Sequence, residues 1–321
     1  MPTYNRRERL ARLLAALDRQ YRAGACFEVL LTVDGSEDGT QPMLASLRTA
    51  YPLQVIVQPR SGPSAARNAA IAAATGDLLL FLDDDVVPQD GLFERHLAVH
   101  RGDPRAAVIG RIVAPPGLAL PVWLEWEAAM GERLYSEMLA GRQTPSWRQF
   151  FTANASVRRD HVLAVGGFDK TFTRTEDMEL AHRLADRGLR FYFVPEAIVH
   201  HQPDRTLAGW LHMAFESGRH RVFLERQVGP AGTTTIQLDW RQRHPLNRTL
   251  ARWCVGHAGR RRLAVAALRY AIASARPGSR RSRLLLCSAL YNLGYWDGVA
   301  VATGLGAKIW RQLVEPHTTT N

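Results

Sequence analysis

Apolar positions recur at helical spacing near the start of the chain. Leu10, Leu13, Leu14, Leu17 and Tyr21 share one face of Arg6–Tyr21 with charges opposite, which predicts an amphipathic helix. FEVLLTV (Phe27–Val33) is apolar nearly throughout and ends in DGSEDGT, so it predicts a buried strand followed by a turn-rich loop. Leu53–Val57 predicts a second strand, Ser64–Thr75 a helix of small residues stopped by Gly76, and Leu78–Leu82 a third strand. Strands alternating with helices predict an α/β fold, a mostly parallel sheet with helices on both faces.

After Pro88 the alternation loosens. Ala106–Ala114 and Phe150–Val157 predict strands, Pro121–Ala140 a helix carrying Trp123, Trp126 and Met130, Glu176–Arg187 a short helix closed by Gly188, and Arg190–Val194 a further strand. From Leu207 the pattern is helical, with helices predicted over Pro245–Gly256, Arg261–Ala275 and Arg283–Tyr295. The longest apolar stretch, Leu284–Ala307, contains Asp297 and several glycines and fits a membrane-spanning helix poorly. At the other end, Met1-Pro2-Thr3-Tyr4-Asn5 reads as a loop leaving a strand, with no residues ahead of it to form that strand. An inner strand of the sheet is therefore expected to be missing.

The 321 residues admit one large α/β domain with an appendage or two modest domains. A hydrophobic share of 46% and a charged share of 22% exclude disorder, collagen-like repeats and disulfide scaffolds. The net charge of +11 is localised: residues 241–321 hold 14 basic and 2 acidic side chains, against 27 and 28 in residues 1–240. A neutral body with a basic tail points to a localised anionic partner, and anionic lipid and RNA both fit such a tail. Cys26, Cys254 and Cys287 form no C-x-x-C pair, so a reducing compartment and three small buried hydrophobes are expected.

Open parallel sheets bind ligands at the carboxyl ends of their strands. Two acidic clusters stand there: Asp34 after FEVLLTV, and Asp83-Asp84-Asp85 after LLLFL. Three adjacent carboxylates are costly unless a cation offsets them, and hard divalent ions do so through carboxylate oxygens. The plainer alternative is a solvated acidic turn before Pro88, with Asp85 or Asp90 capping a helix. Gly62 to Asn68 opens a helix whose first amides, with Arg67, suit a diphosphate.

The series PTYNR (Pro2–Arg6), DGSEDGT (Asp34–Thr40), SGPSAARNAAI (Ser61–Ile71), GDLLLFLDDD (Gly76–Asp85), GGFD (Gly166–Asp169), TEDMELAHRL (Thr175–Leu184) and His200-His201 resembles family 2 glycosyltransferases of the GT-A (Rossmann-like) fold. The resemblance implies a GT-A-like domain over residues 1–225 and a basic helical C-terminal region over 226–321. It implies that Asp34 holds the nucleotide base or ribose, with Pro2, Thr3 and Asn5 on the same wall. Asp83 and Asp85 resemble the metal-binding D-x-D pair, Asp85 as the direct ligand, with Asp84 in the cofactor-binding set between them. Arg67 and Asn68 resemble the neighbours of the diphosphate. Asp177, beside Glu176, is similar to the general base that deprotonates the acceptor, and His200 resembles the histidine completing the metal shell, with His201 as the fallback.

On spacing alone Glu176 and Asp177 suit a helix N-terminus better than a catalytic role, with Thr173 and Glu176 as a capping box, and only the family resemblance reverses that reading. The tryptophans suit either a sugar site or a core. No Q-x-x-R-W is present, since Thr249 stands where Arg252-Trp253 would need Gln, which disfavours processive synthesis. The expectation is an Mn2+- or Mg2+-dependent, inverting, non-processive transfer of a sugar from a nucleotide-diphosphate donor to a saccharide or lipid-linked acceptor, in glycan or glycolipid synthesis. The protein is expected in the cytoplasm, with peripheral contact at the anionic inner face of the membrane and no nucleic-acid partner. A metal-dependent nucleotidyltransferase and a non-catalytic membrane or nucleic-acid adaptor are the alternatives.

Overall fold

The computed structural model describes residues 1–274 and 280–304. Ala275, the end of the apolar stretch at 305–307 and Lys308 lie outside the described residues. The chain divides into two compact units, Met1–Leu118 with Met130–Pro203, and Ala119–Ala129 with Asp204–Asn321.

In the first unit the elements run β1 (Pro2–Thr3), α1 (Arg7–Arg22), β2 (Val29–Asp34), α2 (Thr40–Ser46), β3 (Leu53–Gln58), α3 (Pro63–Ala73), β4 (Leu78–Leu82), β5 (Val86–Pro88), α4 (Leu92–Gly102) and β6 (Ala106–Val113). There follow α5 (Val122–Leu139), which contributes to both units, β7 (Asn154–Arg158), α6 (Arg159–Ala164), α7 (Glu176–Asp186) and β8 (Arg190–His201). The strands form two sheets, ordered β1-β2-β3 and β4-β7-β6-β8-β5. Pairing is parallel for β1·β2, β2·β3 and β6·β8, and antiparallel for β4·β7, β6·β7 and β5·β8. The two-residue β1 is all that the N-terminal segment adds, pairing Pro2 with Thr32 and Thr3 with Val33.

Cores lie on both faces of these strands. On one, Leu10, Leu13, Leu14 and Leu17 of α1 pack with Val29, Leu31 and Val33 of β2 and with Val86 and Val199. Each of these leucines is at most 1% exposed, worth about 1.5–3 kcal/mol relative to exposure, which anchors α1. On the other, Ile71 of α3 and Leu180 and Leu184 of α7 cover Phe81, Ile109, Ala155 and Val157.

Two predicted strands end elsewhere. The one expected from Phe150 begins at Asn154, because Trp147–Gln149 is a 3-10 turn held by the Ser146–Gln149 capping box. The one expected to stop at Val194 continues to His201 as β8, passing Pro195 through an irregularity at which pairing jumps from Gly110↔Val194 to Arg111↔Ile198.

The second unit is helical: α8 (Leu207–Val228), α9 (Pro230–Gln242), α10 (Pro245–Cys254), α11 (Ala258–Ser274) and α12 (Arg280–Ala302). Trp126 and Trp210 meet edge to face with ring centres 5.6 Å apart, and both contact Tyr291. These tryptophans fill a core rather than line a sugar site. α8 and α12 approach main chain to main chain: a Cβ on Gly218 would sit 1.9 Å from the Tyr295 carbonyl oxygen, and one on Gly298 2.0 Å from that of Phe215. Asp297 pairs with Arg261 at 2.6 Å. Gly294 and Gly298 of this stretch thus serve helix packing, and no helix among the described residues is long and apolar enough to cross a membrane. Cys254 and Cys287 are buried as expected, whereas Cys26 is exposed.

Candidate functional site

The carboxyl ends of β1, β2 and β4 and the first turns of α3 and α7 supply the polar residues singled out by sequence. Asp34 is buried with its carboxylate engaged: Oδ1 accepts from Gln58 Nε2 and Ser61 N, both at 2.7 Å, and Oδ2 from Gly62 N at 2.9 Å. It thereby shapes the loop that opens α3. Asn5, in the left-handed region at φ 50°, donates its N–H to Ser36 Oγ at 3.0 Å and accepts from Glu37 N at 2.8 Å, stitching the loops after β1 and β2 together. Beside them Arg60 stacks over the Tyr4 ring at 4.1 Å. Pro2 and Thr3 lie in β1, Thr3 buried.

The aspartate triplet splits by environment. Asp83 is the half-buried member and accepts from Arg67 Nη2 at 3.0 Å. Asp84 and Asp85 are buried, and both accept from Arg6 Nη1, at 2.9 and 2.5 Å. Burial pushes the Asp84 carboxyl up to about 6, with Arg6 working against the shift. Arg6 was not singled out by sequence; its place in PTYNR, one residue beyond Asn5, is the signal that pointed to it.

His201 Nε2 lies 3.3 Å from Asp85 Oδ2. The pairing of Val86 with His201 in β5·β8 brings the two together. His200 is therefore not the histidine beside Asp85: neighbouring residues of a strand point to opposite faces, and the His200 Nδ1 is buried without a hydrogen-bond partner among the described residues. The set fits a divalent cation of a particular kind. Among the described residues no three His, Cys, Asp or Glu side chains form a ready cage. One carboxylate and one imidazole suit an ion whose remaining positions are filled by water and phosphate oxygens.

Arg67 is buried between two carboxylates, donating to Glu176 Oε1 at 2.8 Å and to Asp83 at 3.0 Å. Its neighbour Asn68 faces elsewhere. The Asn68 amide donates to the Phe168 carbonyl and accepts the Phe168 N–H, both at 2.8 Å, and so holds the GGFD loop. Gly167 is required there: its φ is +74° and a Cβ would meet Asn68 Oδ1 at 2.6 Å.

α7 starts at Glu176, with Thr175 before it at φ 59°, a left-handed conformation that a β-branched residue adopts at a cost. Glu176 is tied to Arg67. Asp177 accepts the Met178 N–H at 2.8 Å. Burial, then the negative charge of Glu176, pushes the Asp177 carboxyl up to about 7, against the pull of Arg67. Glu179 is buried against Arg183, whose guanidinium also reaches the Val165 and Gly167 carbonyls. Of the three acids in this turn, Asp177 alone combines a raised pKa with no ion pair among the described contacts.

Residues 1–168 match the family model described as Glycosyl transferase family 2. The chain is 29% identical over 250 residues to the glycosyltransferase YfnE of Bacillus subtilis (strain 168), covering 63% of either protein. It is 37% identical over 174 residues to the pre-mycofactocin glycosyltransferase of Mycobacterium tuberculosis, covering 52% of this chain and 36% of that one. The chain thus spans less than two thirds of these relatives. In fold it is similar to the mannosyltransferase PcManGT of Pyrobaculum calidifontis, solved with GDP-Man and Mn2+, at a TM-score of 0.59 and 18% identity over 92% of this chain and 85% of that one. The S. aureus TarS 1–349 complex with UDP follows at 0.56 and 15% identity, over 94% of this chain and 90% of that one.

Proposed function

The chain belongs to glycosyltransferase family 2, and we propose that within it the protein is a metal-dependent, inverting, non-processive enzyme moving a sugar from a nucleotide-diphosphate donor to an acceptor hydroxyl. The observation that carries this reading is the division of labour at the start of α7, where Glu176 is bound to Arg67 while Asp177 is held near neutrality. A general base works best with its pKa near the operating pH.

Asp177 takes the acceptor proton as the hydroxyl oxygen bonds to the anomeric carbon and the bond from that carbon to the diphosphate breaks. One displacement of this kind inverts the centre. Asp34 and Asn5 shape the nucleotide wall with Pro2 and Thr3, and Arg67 keeps Asp83 in place. Asp85 and His201, with Asp83 nearby, would hold Mn2+ or Mg2+, which when bound offsets the charge gathering on the departing diphosphate. The GDP-Man and Mn2+ of PcManGT and the UDP of TarS support this choice of donor and cofactor. Incubating the protein with a panel of nucleotide sugars and Mn2+ tests the reading without knowledge of the acceptor. Slow, chelator-sensitive donor hydrolysis is expected for one donor, and hydrolysis of none would count against it.

The acceptor is a saccharide, free or on a lipid carrier, and the second unit meets an anionic membrane surface. Support comes from α11, which leaves Leu263 64% and Tyr270 76% exposed among Arg260, Arg262 and Arg269. The Arg260 guanidinium also lies 5.9 Å from the ring centre of exposed Trp253. Arginines flanking exposed aromatic and aliphatic side chains suit a helix lying in a headgroup layer.

A further inference from the structure

Asp85 Oδ2, the carboxylate atom 3.3 Å from His201 Nε2, also accepts from Arg6 Nη1 at 2.5 Å. Arg6 and a cation held by Asp85 and His201 are therefore like charges drawn to one oxygen.

The two sides of this contact differ in how they are anchored. Asp85 is held from behind: its carbonyl accepts the Gln202 N–H at 3.0 Å, and the neighbouring Val86 pairs with His201 in β5·β8. Arg6 is anchored at its root, where its carbonyl accepts from Arg9 N at 3.1 Å and Leu10 N at 3.0 Å and so opens α1. Its side chain is 32% exposed, against 7% for Asp84 and 5% for Asp85. The long arginine side chain is thus the part that can turn. The same Nη1 donates to Asp84 Oδ1 at 2.9 Å, so a guanidinium that leaves Asp85 still has Asp84 to keep it at the site.

Charge decides when that exchange is favourable. Asp84 and Asp85 together exceed Arg6 by one negative charge, and Asp83 is engaged by Arg67. A divalent cation entering beside Arg6 turns that excess into one positive charge, among buried groups where like charges are poorly screened. A nucleoside diphosphate brings enough negative charge to reverse it.

We propose that Arg6 is a built-in competitor of the cation: it holds Asp85 against Mn2+ or Mg2+ alone, and yields that oxygen, while keeping Asp84, to an ion that arrives with a nucleoside diphosphate. The proposal rests on the placement of the ion at Asp85 and His201. Arg6 is a positioning residue in this scheme, acting through Asp85, and it couples the binding of ion and nucleotide.

The test reads Mn2+ binding from the loss of the free-ion EPR signal, with and without UDP or GDP, on the native chain, Arg6→Gln, Arg6→Lys and Asp85→Ala. Arg6→Gln is expected to bind Mn2+ alone about tenfold tighter than the native chain or better, and to gain less from added nucleotide. Arg6→Lys keeps the charge and is expected to stay closer to the native chain than to Arg6→Gln. A merely structural Arg6 predicts the opposite sign, since losing it would loosen Asp85 and weaken Mn2+ binding. Equal or weaker Mn2+ binding by Arg6→Gln, with binding still lost in Asp85→Ala, would overturn the proposal and leave the ion where it is placed. Mn2+ binding unaffected by Asp85→Ala would overturn that placement, and the proposal with it. Removing Arg6 leaves two buried carboxylates side by side, which can unfold the protein. In that event Asp84→Asn is compared with Asp84→Asn carrying Arg6→Gln, where one carboxylate remains. The same gain of about tenfold is expected there, and equal affinities would overturn the proposal.

Discussion

Arg67 holds Glu176 at 2.8 Å, and that one ion pair separates the roles of two adjacent carboxylates. A buried guanidinium must keep its counter-ions, and Arg67 has Glu176 and Asp83. Asp177, next in sequence, is left with the raised pKa.

Asp177→Asn is expected to bind donor nearly normally and to lose transfer by roughly 10²–10⁴-fold, the range that general base catalysis supplies. In the native chain transfer rises with pH through about 7 as Asp177 loses its proton. The sign for stability is opposite. A carboxyl whose folded pKa is raised holds its proton more tightly folded than unfolded, so its stabilising contribution is full below the ordinary carboxylate range and is lost as pH climbs toward 7. The Asn variant should therefore show a weaker fall in stability across that window. A pH-rate profile unchanged by the substitution would move the base elsewhere.

Metal-dependent donor binding should depend on Asp85 and His201 and much less on His200, because only His201 lies beside the Asp85 carboxylate. Calorimetry of nucleoside diphosphate binding, with Mn2+ and with chelator, is expected to show Asp85→Ala abolishing the Mn2+-dependent part and His201→Ala weakening it. If His200→Ala were the more damaging of the two histidine changes, this placement of the ion would be wrong.

The anomeric outcome is a separate question. A single base on the acceptor side supports one in-line displacement, so an α-linked donor should give a β-linked product. NMR of the product settles it, and an α-linked product would require a nucleophile on the other face of the sugar.

Vesicle binding should track the exposed side chains of α11. Sedimentation with vesicles of mixed zwitterionic and anionic lipid is expected to lose most bound protein on Leu263→Glu with Tyr270→Glu, and to weaken as salt rises. Both residues are exposed, so the fold should stay intact. Undiminished sedimentation of the double variant would leave the arginines as an ordinary solvated face.

Much of this arrangement was readable from pattern because buried strands are written as continuous apolar runs, as in β2 and β4, with acidic residues following each. What escaped depended on pairing across the chain. His200 and His201 are indistinguishable in a string, and only the register of β8 against β5 selects the second. α4 has Leu92, His96 and His100 on its buried face, and histidines read as polar until Ser156 and Asn154 are seen to pair both ring nitrogens of His96 and the Nε2 of His100 at 2.8–3.0 Å. Arg6 gained its importance from two carboxylates 78 and 79 positions away. Asn68 reads as a phosphate neighbour by position, yet its amide is matched to Phe168, a hundred residues on.

The glycine seam between α8 and α12 restricts how the second unit can change. Where side chains meet side chains, a lost volume on one helix can be made up on the other; at Gly218 and Gly298 the opposing surface is main chain, which no substitution can trim. Gly294 and Gly298, one turn apart on α12, also index the pair lengthwise, since advancing one helix by a single residue turns its seam away by ~100° and brings a side chain against the facing backbone. The two helices are thus keyed to a single offset, and variation in this unit is confined to the faces that look away from the seam.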